Sequence, residues 1–200
     1  MPKTDFKKKF RNLYSAPTER ASIIDIPGLN FITVDGSGHP NEQNFQNAAS
    51  TVYPAAYILK FMIKERNPEN DYVVMPMEVK WEINRNETGS KRFKWKMMIM
   101  QPDFTNEQLY LEAVERAKRK TEMPCLDSLK YQRIEEGLCA QIFHKGPYGN
   151  PMEETFTILK ENLKGLGYEY EKDSHDIYFN DVRKTDPEKL KTLIRVKIFK

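Results

Sequence analysis

DYVVMPMEVKWEINRNETGSKRFKWKMMIMQPD, residues 71–103, contains two runs that alternate between apolar and polar side chains. Met75, Met77, Val79, Trp81 and Ile83 fall on one face of the first run; Phe93, Trp95, Met97 and Ile99 fall on one face of the second. Period-two alternation predicts two β-strands. The polar stretch NRNETGSKR between them, with Gly89, predicts a hairpin loop. Both tryptophans of the chain and five of its nine methionines, Met98 among them, lie in this stretch. Flexible thioethers beside rigid indole plates suit a flat apolar ligand, and they suit a packed core equally well. Alternation reports burial, not use. Glu78 stands between Pro76 and Lys80, and in a regular strand it points away from Trp81. The two can serve one cavity only if the strand bulges or the cavity wraps a sheet edge.

Upstream, KTDFKKKFRNLYSA interleaves Phe6, Phe10, Leu13 and Tyr14 with lysines, which predicts an amphipathic helix with a basic solvent face. SIIDIPGLNFITVD, residues 22–35, reads as a strand broken or bent at Pro27-Gly28. Pro40 is expected to open a long helix whose stripe runs through Phe45, Ala49, Val52, Ala56, Leu59 and Ile63, kinked or split at Pro54. Downstream, Thr105 with Gln108 predicts a capping box at the start of the next helix. QRIEEGLCAQIFH, residues 132–144, reads as a strand bent at Gly137. Asn150-Pro151 with Glu153 opens a further helix, HDIYFN (residues 175–180) is strand-like, Pro187–Thr192 makes a short helical turn, and Ile194–Phe199 closes the chain as a strand.

Those segments repeat. Pro40, Glu42 and Phe45 recur as Pro151, Glu153 and Phe156 at a constant offset of 111, with Gly36 and Gly38 answered by Gly146 and Gly149. The expected fold is α+β: a tandem strand-helix-strand-strand repeat with pseudo-two-fold symmetry and an antiparallel sheet. Helices are expected on one side and a ligand groove on the other, at the junction of the halves. The chain reads as a single domain over residues 1–200, with a first repeat at about 20–103, a connector at 104–130 and a second repeat at about 131–200.

Composition narrows the function. Thirty-two basic and 29 acidic residues give a net charge of +3, too even to imply a general attraction to nucleic acid. Cys125 and Cys139 have neither metal nor redox spacing. No signal peptide or spanning segment is read, so a cytoplasmic, reducing setting is expected, without metal, cofactor or membrane.

The chain resembles the GyrI-like small-molecule-binding proteins in their stand-alone form. The resemblance rests on DFKKKFRNLYSA, IPGLNFITVDGSGHPN, AAYILKF, YVVMPMEVKW, FKWKMMIMQPDF, EEGLCAQIFHKGPY and HDIYFNDVRKTDPEKLKTLIRVKI, and so spans nearly the whole sequence. It implies the same tandem fold around a central aromatic groove with a buried carboxylate. Carried over, the groove would use Tyr57, Glu78, Trp81, Trp95, His144, Tyr148 and the segment His175–Tyr178. Relatives usually read Pro-Leu-Glu-Gly-Leu-Trp and His-Glu-Ile-Tyr, where this chain has Pro-Met-Glu-Val-Lys-Trp and His175-Asp176-Ile177-Tyr178. Asp176 is thus one methylene shorter than the groove glutamate, which bears on acid–base placement.

The resemblance implies a protein that binds planar aromatic, in part cationic, xenobiotics as a sensor or sequestering protein, with Trp81, Trp95, Met98, Glu78, His144, Tyr148 and Tyr178 in contact. The alternative is a hydrolase opening cyclopropane rings of DNA-alkylating natural products, with Asp176 as the carboxylate, Glu78 as its substitute and Tyr57 as proton donor. A third reading is a modulator that engages DNA gyrase. No DNA-binding helix-turn-helix is read ahead of the domain, no direct nucleic-acid contact is expected, and the chain is expected as a monomer or homodimer.

Overall fold

The structure is a computed structural model that describes residues 3–85, 91–120 and 122–200. Its strands are β1 (Ser22–Ile26), β2 (Leu29–Ser37), β3 (Met77–Arg85), β4 (Lys91–Gln101), β5 (Leu129–Ile134), β6 (Gly137–Lys145), β7 (Glu169–Tyr170), β8 (Ser174–Tyr178) and β9 (Lys191–Phe199). Its helices are α1 (Phe6–Lys9), α2 (Gln43–Arg66), α3 (Glu107–Lys120) and α4 (Asn150–Gly165). The predicted hairpin is present as β3 and β4, paired with Trp81 opposite Trp95 and Glu78 opposite Met98. Most of its loop, residues 86–90, lies outside the described residues.

The sheet runs β1-β6-β9-β8-β3-β4-β2-β5, with β7 added against β9. Every neighbouring pair of described strands is antiparallel. Read from its two edges, the order is β5-β2-β4-β3 and β1-β6-β9-β8, so the halves meet where β3 pairs with β8. Each half is closed by the leading strand of the other: β1 pairs with β6 and β5 with β2. This explains why Ser22–Asp35 is broken at Pro27-Gly28 and why Gln132–His144 is two strands and not a single bent one. Pro27-Gly28 and the residues before Gly137 are points where the chain leaves one half of the sheet for the other. Gly38 and Gly149 both carry positive φ, at 109° and 87°, ahead of α2 and α4. Such a backbone suits glycine and accounts for their recurrence.

Strand parity assigns the faces. Val79, Trp81, Ile99, Met97, Ile142, Ile194 and Val196 point toward the helices. Phe45 of α2 stacks on Trp81, and Leu159 and Leu163 of α4 pack with Ile142, Ile194 and Val196. Gly36 is opposite Trp95, and a Cβ there would stand 2.1 Å from the indole. Pro54 leaves α2 one continuous helix of 24 residues. The N-terminal amphipathic helix shrinks to the four residues of α1, because Leu13 and Tyr14 are drawn into the buried core by the opposite face of the sheet. Thr105 does not cap α3. Its hydroxyl donates to the Pro102 carbonyl, and the Asn106 side chain caps Leu109 N–H instead. Among the described residues no helix is long and apolar enough to cross a membrane.

Candidate functional site

The centre of the sheet carries two polar clusters back to back. Along β8 successive side chains alternate, so Asp176 and Tyr178 face the helices while His175 and Ile177 face away. On the helix side, Trp81 Nε1 donates to Tyr178 Oη at 3.1 Å, and Tyr178 donates to Asp176 Oδ2 at 3.3 Å. Asp176 is 4% exposed, and its Oδ1 is buried without a hydrogen-bond partner. Burial pushes its carboxyl up to about 7, against the opposing pull of the His175 charge and of the Tyr178, Ser174 and Trp81 side chains. Burial and the same carboxylate push the Tyr178 phenol well above its ordinary range. Thr192, paired with Tyr178 across the strands, adds a buried hydroxyl that also acts on Tyr148.

Aromatic rings wall this cluster. Phe45 stacks on Trp81 with centroids 5.4 Å apart and planes 12° apart, and meets Trp95 edge-on at 5.3 Å. Tyr148, on the turn before α4, sets its ring edge-to-face on Tyr178 at 5.9 Å. Tyr148 is partly exposed, yet burial pushes its phenol up, with the Thr192 side chain pulling the other way. His144 faces the same side but is tied at both nitrogens, Nδ1 to Thr155 Oγ1 at 2.8 Å and Nε2 to the Pro147 carbonyl at 3.1 Å. That arrangement anchors the turn carrying Tyr148. Tyr57 is 48% exposed on α2 with its ring against Phe61, and no described interaction joins it to Asp176.

The opposite face holds charge. His175 lies between two carboxylates: Nδ1 is 2.7 Å from Glu136 Oε2, and Nε2 is 2.9 Å from Glu78 Oε2, in ion-pair range though off the line of a hydrogen bond. Glu136 also takes Lys80 at 2.8 Å and Arg195 at 3.1 Å. Tyr14 donates to Glu78 Oε1 at 2.9 Å, and Arg195 donates to the Leu13 carbonyl at 2.6 Å, so the N-terminal segment closes the cluster from outside. Burial opposes charge on both partners. The carboxylates nevertheless hold the His175 ring above its ordinary pKa, and His175, Lys80 and Arg195 hold Glu136 well below its own. A cleft of about 510 Å³ is lined by Lys80, Glu136, His175 and Arg195 of this face and also by Trp81 and Trp95. Lys80 pairs with Glu136, Lys96 with Asp35, Lys94 with Glu82 and Lys197 with Glu171. Such mutually satisfied pairs make this roomier side a poor place for proton transfer.

The GyrI-like small molecule binding domain model matches residues 21–198. The chain belongs to this family. Two solved structures from Listeria innocua are similar to this GyrI-like domain over their whole length. One is an uncharacterized conserved protein, 31% identical, with a TM-score of 0.89 over 98% of this chain and 100% of its own. The other is a hydrolase, 30% identical, with a TM-score of 0.86 over 99% of this chain and 100% of its own. The C-terminal domain of EcmrR, 14% identical with a TM-score of 0.54 over 90% of this chain and 98% of its own, shares the fold alone. None of the curated proteins matches the chain.

The GyrI-like fold thus brings Trp81, Trp95, Tyr148, Tyr178, His144 and Asp176 to one side, while Glu78 and Met98 lie on the other. Met98 is fully buried opposite Glu78 and Thr33, a core position. No bulge reunites Glu78 with Trp81, since β3 keeps regular register with β4 and β8 through both residues. Nothing local marks Glu136 or Arg195, whose partners His175 and Leu13 are 39 and 182 residues away, and nothing local marks Thr192. Tyr14 was visible only in its apolar stripe, 64 residues from Glu78. Phe45 was visible only as part of an apolar stripe.

Proposed function

We propose that this GyrI-like domain binds a planar, largely apolar small molecule against the Trp81–Tyr178–Asp176 wall and hydrolyses it, Asp176 serving as the acid–base group. The observation that carries the reading is Asp176 Oδ1, buried without a partner on a carboxyl pushed up to about 7. A carboxyl that titrates there is partly ionised in neutral solution, so it can take a proton from water and return it. Tyr178 holds Oδ2 and leaves Oδ1 to the reaction. Similarity to a Listeria innocua hydrolase over the full chain supports the reaction class.

The substrate class that fits is a strained electrophile, a cyclopropane conjugated to a carbonyl. Asp176 Oδ1 takes a proton as the water oxygen bonds to a ring carbon. The ring C–C bond breaks, and its electron pair moves into the conjugated system as an enolate. A phenol stabilises that oxygen by hydrogen bonding. Asp176 then returns its proton to the enolate, so that one water has been added. Tyr148 is the phenol of choice, its ring standing against Tyr178 at the edge of the wall; Tyr57 on α2 is the alternative. Glu78, tied to Tyr14 and His175 on the far face, supports the sheet instead.

A second reading is binding without turnover, favoured by the stacked aromatic wall and by the short reach of Asp176. An aromatic cation would then pair with the ionised Asp176. A thermal-shift screen of aromatic cations and cyclopropane-bearing alkylators, followed by mass spectrometry of the positives, separates the two. The hydrolase reading expects a product heavier by one water from the wild type and none from Asp176→Asn. Stabilisation by cations alone, with unchanged alkylator, leaves a binding protein. No stabilisation by either class would remove both readings.

A further inference from the structure

We propose that His175 is a positioning residue for Asp176: clamped between Glu78 and Glu136 on the helix-free face, it fixes β8 and sets a positive charge one residue from the reacting carboxylate. This rests on the reading of Asp176 as the acid–base group. The clamp spans the junction of the two halves. Glu78 comes from β3, and Glu136 comes from the turn between β5 and β6. The remaining groups around the ring are Lys80 of β3, paired with His175 across the strands, Arg195 of β9, also paired with it, Cys139 of β6, and Tyr14 of the N-terminal segment. Burial pushes the Cys139 thiol up to about 12, which keeps it neutral beside the cluster. The two carboxylates therefore face three cationic side chains, His175 included.

Burying four charges this deeply, with the part-exposed Lys80 beside them, is not an efficient way to hold a sheet together, since apolar residues of the same volume usually do as well. What the cluster adds is definition. It fixes which residues of β8 and β3 pair, and a slip of one residue would turn Asp176 away from the wall. It also acts through the sheet. The His175 charge is the largest influence opposing the desolvation of Asp176. Without that charge Asp176 would hold its proton well above neutral pH and would be a poor base in a neutral solution. The adjacent pair thus divides the work: His175 is exposed to carboxylates on one face, and Asp176 to an apolar wall on the other.

The test reads the two ionisations directly and needs no substrate. Carboxyl ¹³C titration by NMR, with the Asp176 signal assigned by its absence in Asp176→Asn, is run on wild type, His175→Gln and His175→Lys. His175→Gln is expected to raise the Asp176 midpoint by about one pH unit, a tenfold tighter hold on the proton. His175→Lys, which restores a cation, is expected to bring it back to within about 0.3 unit of wild type. Ring ¹⁵N shifts of wild-type His175 are expected to show both nitrogens protonated at pH 7. That arm stands even if the variants fail to fold. An unmoved Asp176 midpoint in folded His175→Gln, a neutral His175 ring at pH 7, or no recovery in folded His175→Lys would each overturn the proposal. If the midpoints move as expected but Asp176→Asn leaves ligand binding and turnover intact, the coupling stands and the functional reading of Asp176 falls.

Discussion

Asp176→Asn should make the protein more stable, and the gain should depend on pH. Burial moves this carboxyl from 3.8 to about 7. The folded state therefore binds the proton more tightly than the unfolded chain, and stability falls as pH rises between those two values. Below about 4 both states are protonated and the group contributes nothing. Above 7 the folded state carries the full cost, roughly 4 kcal/mol for a gap of about three pH units. Asparagine carries no charge to desolvate. Its carbonyl is a weaker acceptor for Tyr178, which returns about 1 kcal/mol of that gain. The expected net stabilisation at pH 8 is about 2–4 kcal/mol, a rise in Tm of about 5–12 °C for a chain of this length. At pH 4.5 the two proteins should agree within about 1 kcal/mol. Urea unfolding at both pH values, with calorimetry alongside, makes the measurement. Equal destabilisation at pH 4.5 and pH 8 would refute the reasoning, because it would mean that Asp176 is a stabilising charge and not a strained one.

Other substitutions probe the frame around it. Gly36→Ala places a methyl against the Trp95 ring and should cost about 1–3 kcal/mol by urea unfolding, with the near-ultraviolet dichroism of Trp95 altered. Trp81→Phe keeps a ring on Phe45 but removes the donor to Tyr178. It should cost about 1–3 kcal/mol and weaken any aromatic ligand, as calorimetric titration would show. Glu136→Gln leaves His175 and Arg195 short of a counter-charge and should cost about 3–5 kcal/mol at pH 7. Because the folded Glu136 pKa is depressed, its contribution is complete above the usual glutamate range and fades as pH falls below it. The gap between Glu136→Gln and wild type should narrow in acid, and a constant gap down to pH 2 would argue against the charge cluster.

The hairpin, the helices and their order were legible because each rests on local periodicity. Val79, Trp81 and Ile83 alternate whatever lies beside them, and Leu159 and Leu163 mark one face of α4. The break left open at Pro27-Gly28 is real, and the single bent strand expected at Gln132–His144 is two strands; both outcomes have one cause. Continuous apolar alternation through Pro27-Gly28 and Gly137 does not reveal that the chain changes partners there, since pairing is a property of distant residues. The N-terminal helix failed similarly. Phe6, Phe10, Leu13 and Tyr14 have helical spacing, but Tyr14 and the Leu13 carbonyl are claimed by Glu78 and Arg195 in the folded chain. At the site, alternation alone separated Glu78 from Trp81, and the strand pairing then showed His175 and Asp176 on opposite faces of β8. What alternation did not reveal was the company each would keep. Whether a carboxylate sits among cations or against indole rings is settled by packing, and that difference sends Glu136 down in pKa and Asp176 up.

The central claim is that Asp176 is the acid–base group of a hydrolase. It is tested most directly by turnover of a cyclopropane-bearing electrophile in ¹⁸O-labelled water, followed by mass spectrometry from pH 5 to pH 9 for wild type and Asp176→Asn. The expected result is a ring-opened product carrying one ¹⁸O, formed by the wild type at a rate that rises with pH and levels off above about 7, as Asp176 ionises. Asp176→Asn should be at background throughout. Equal rates for the two proteins at every pH, or a wild-type rate with no inflection near 7, would contradict it.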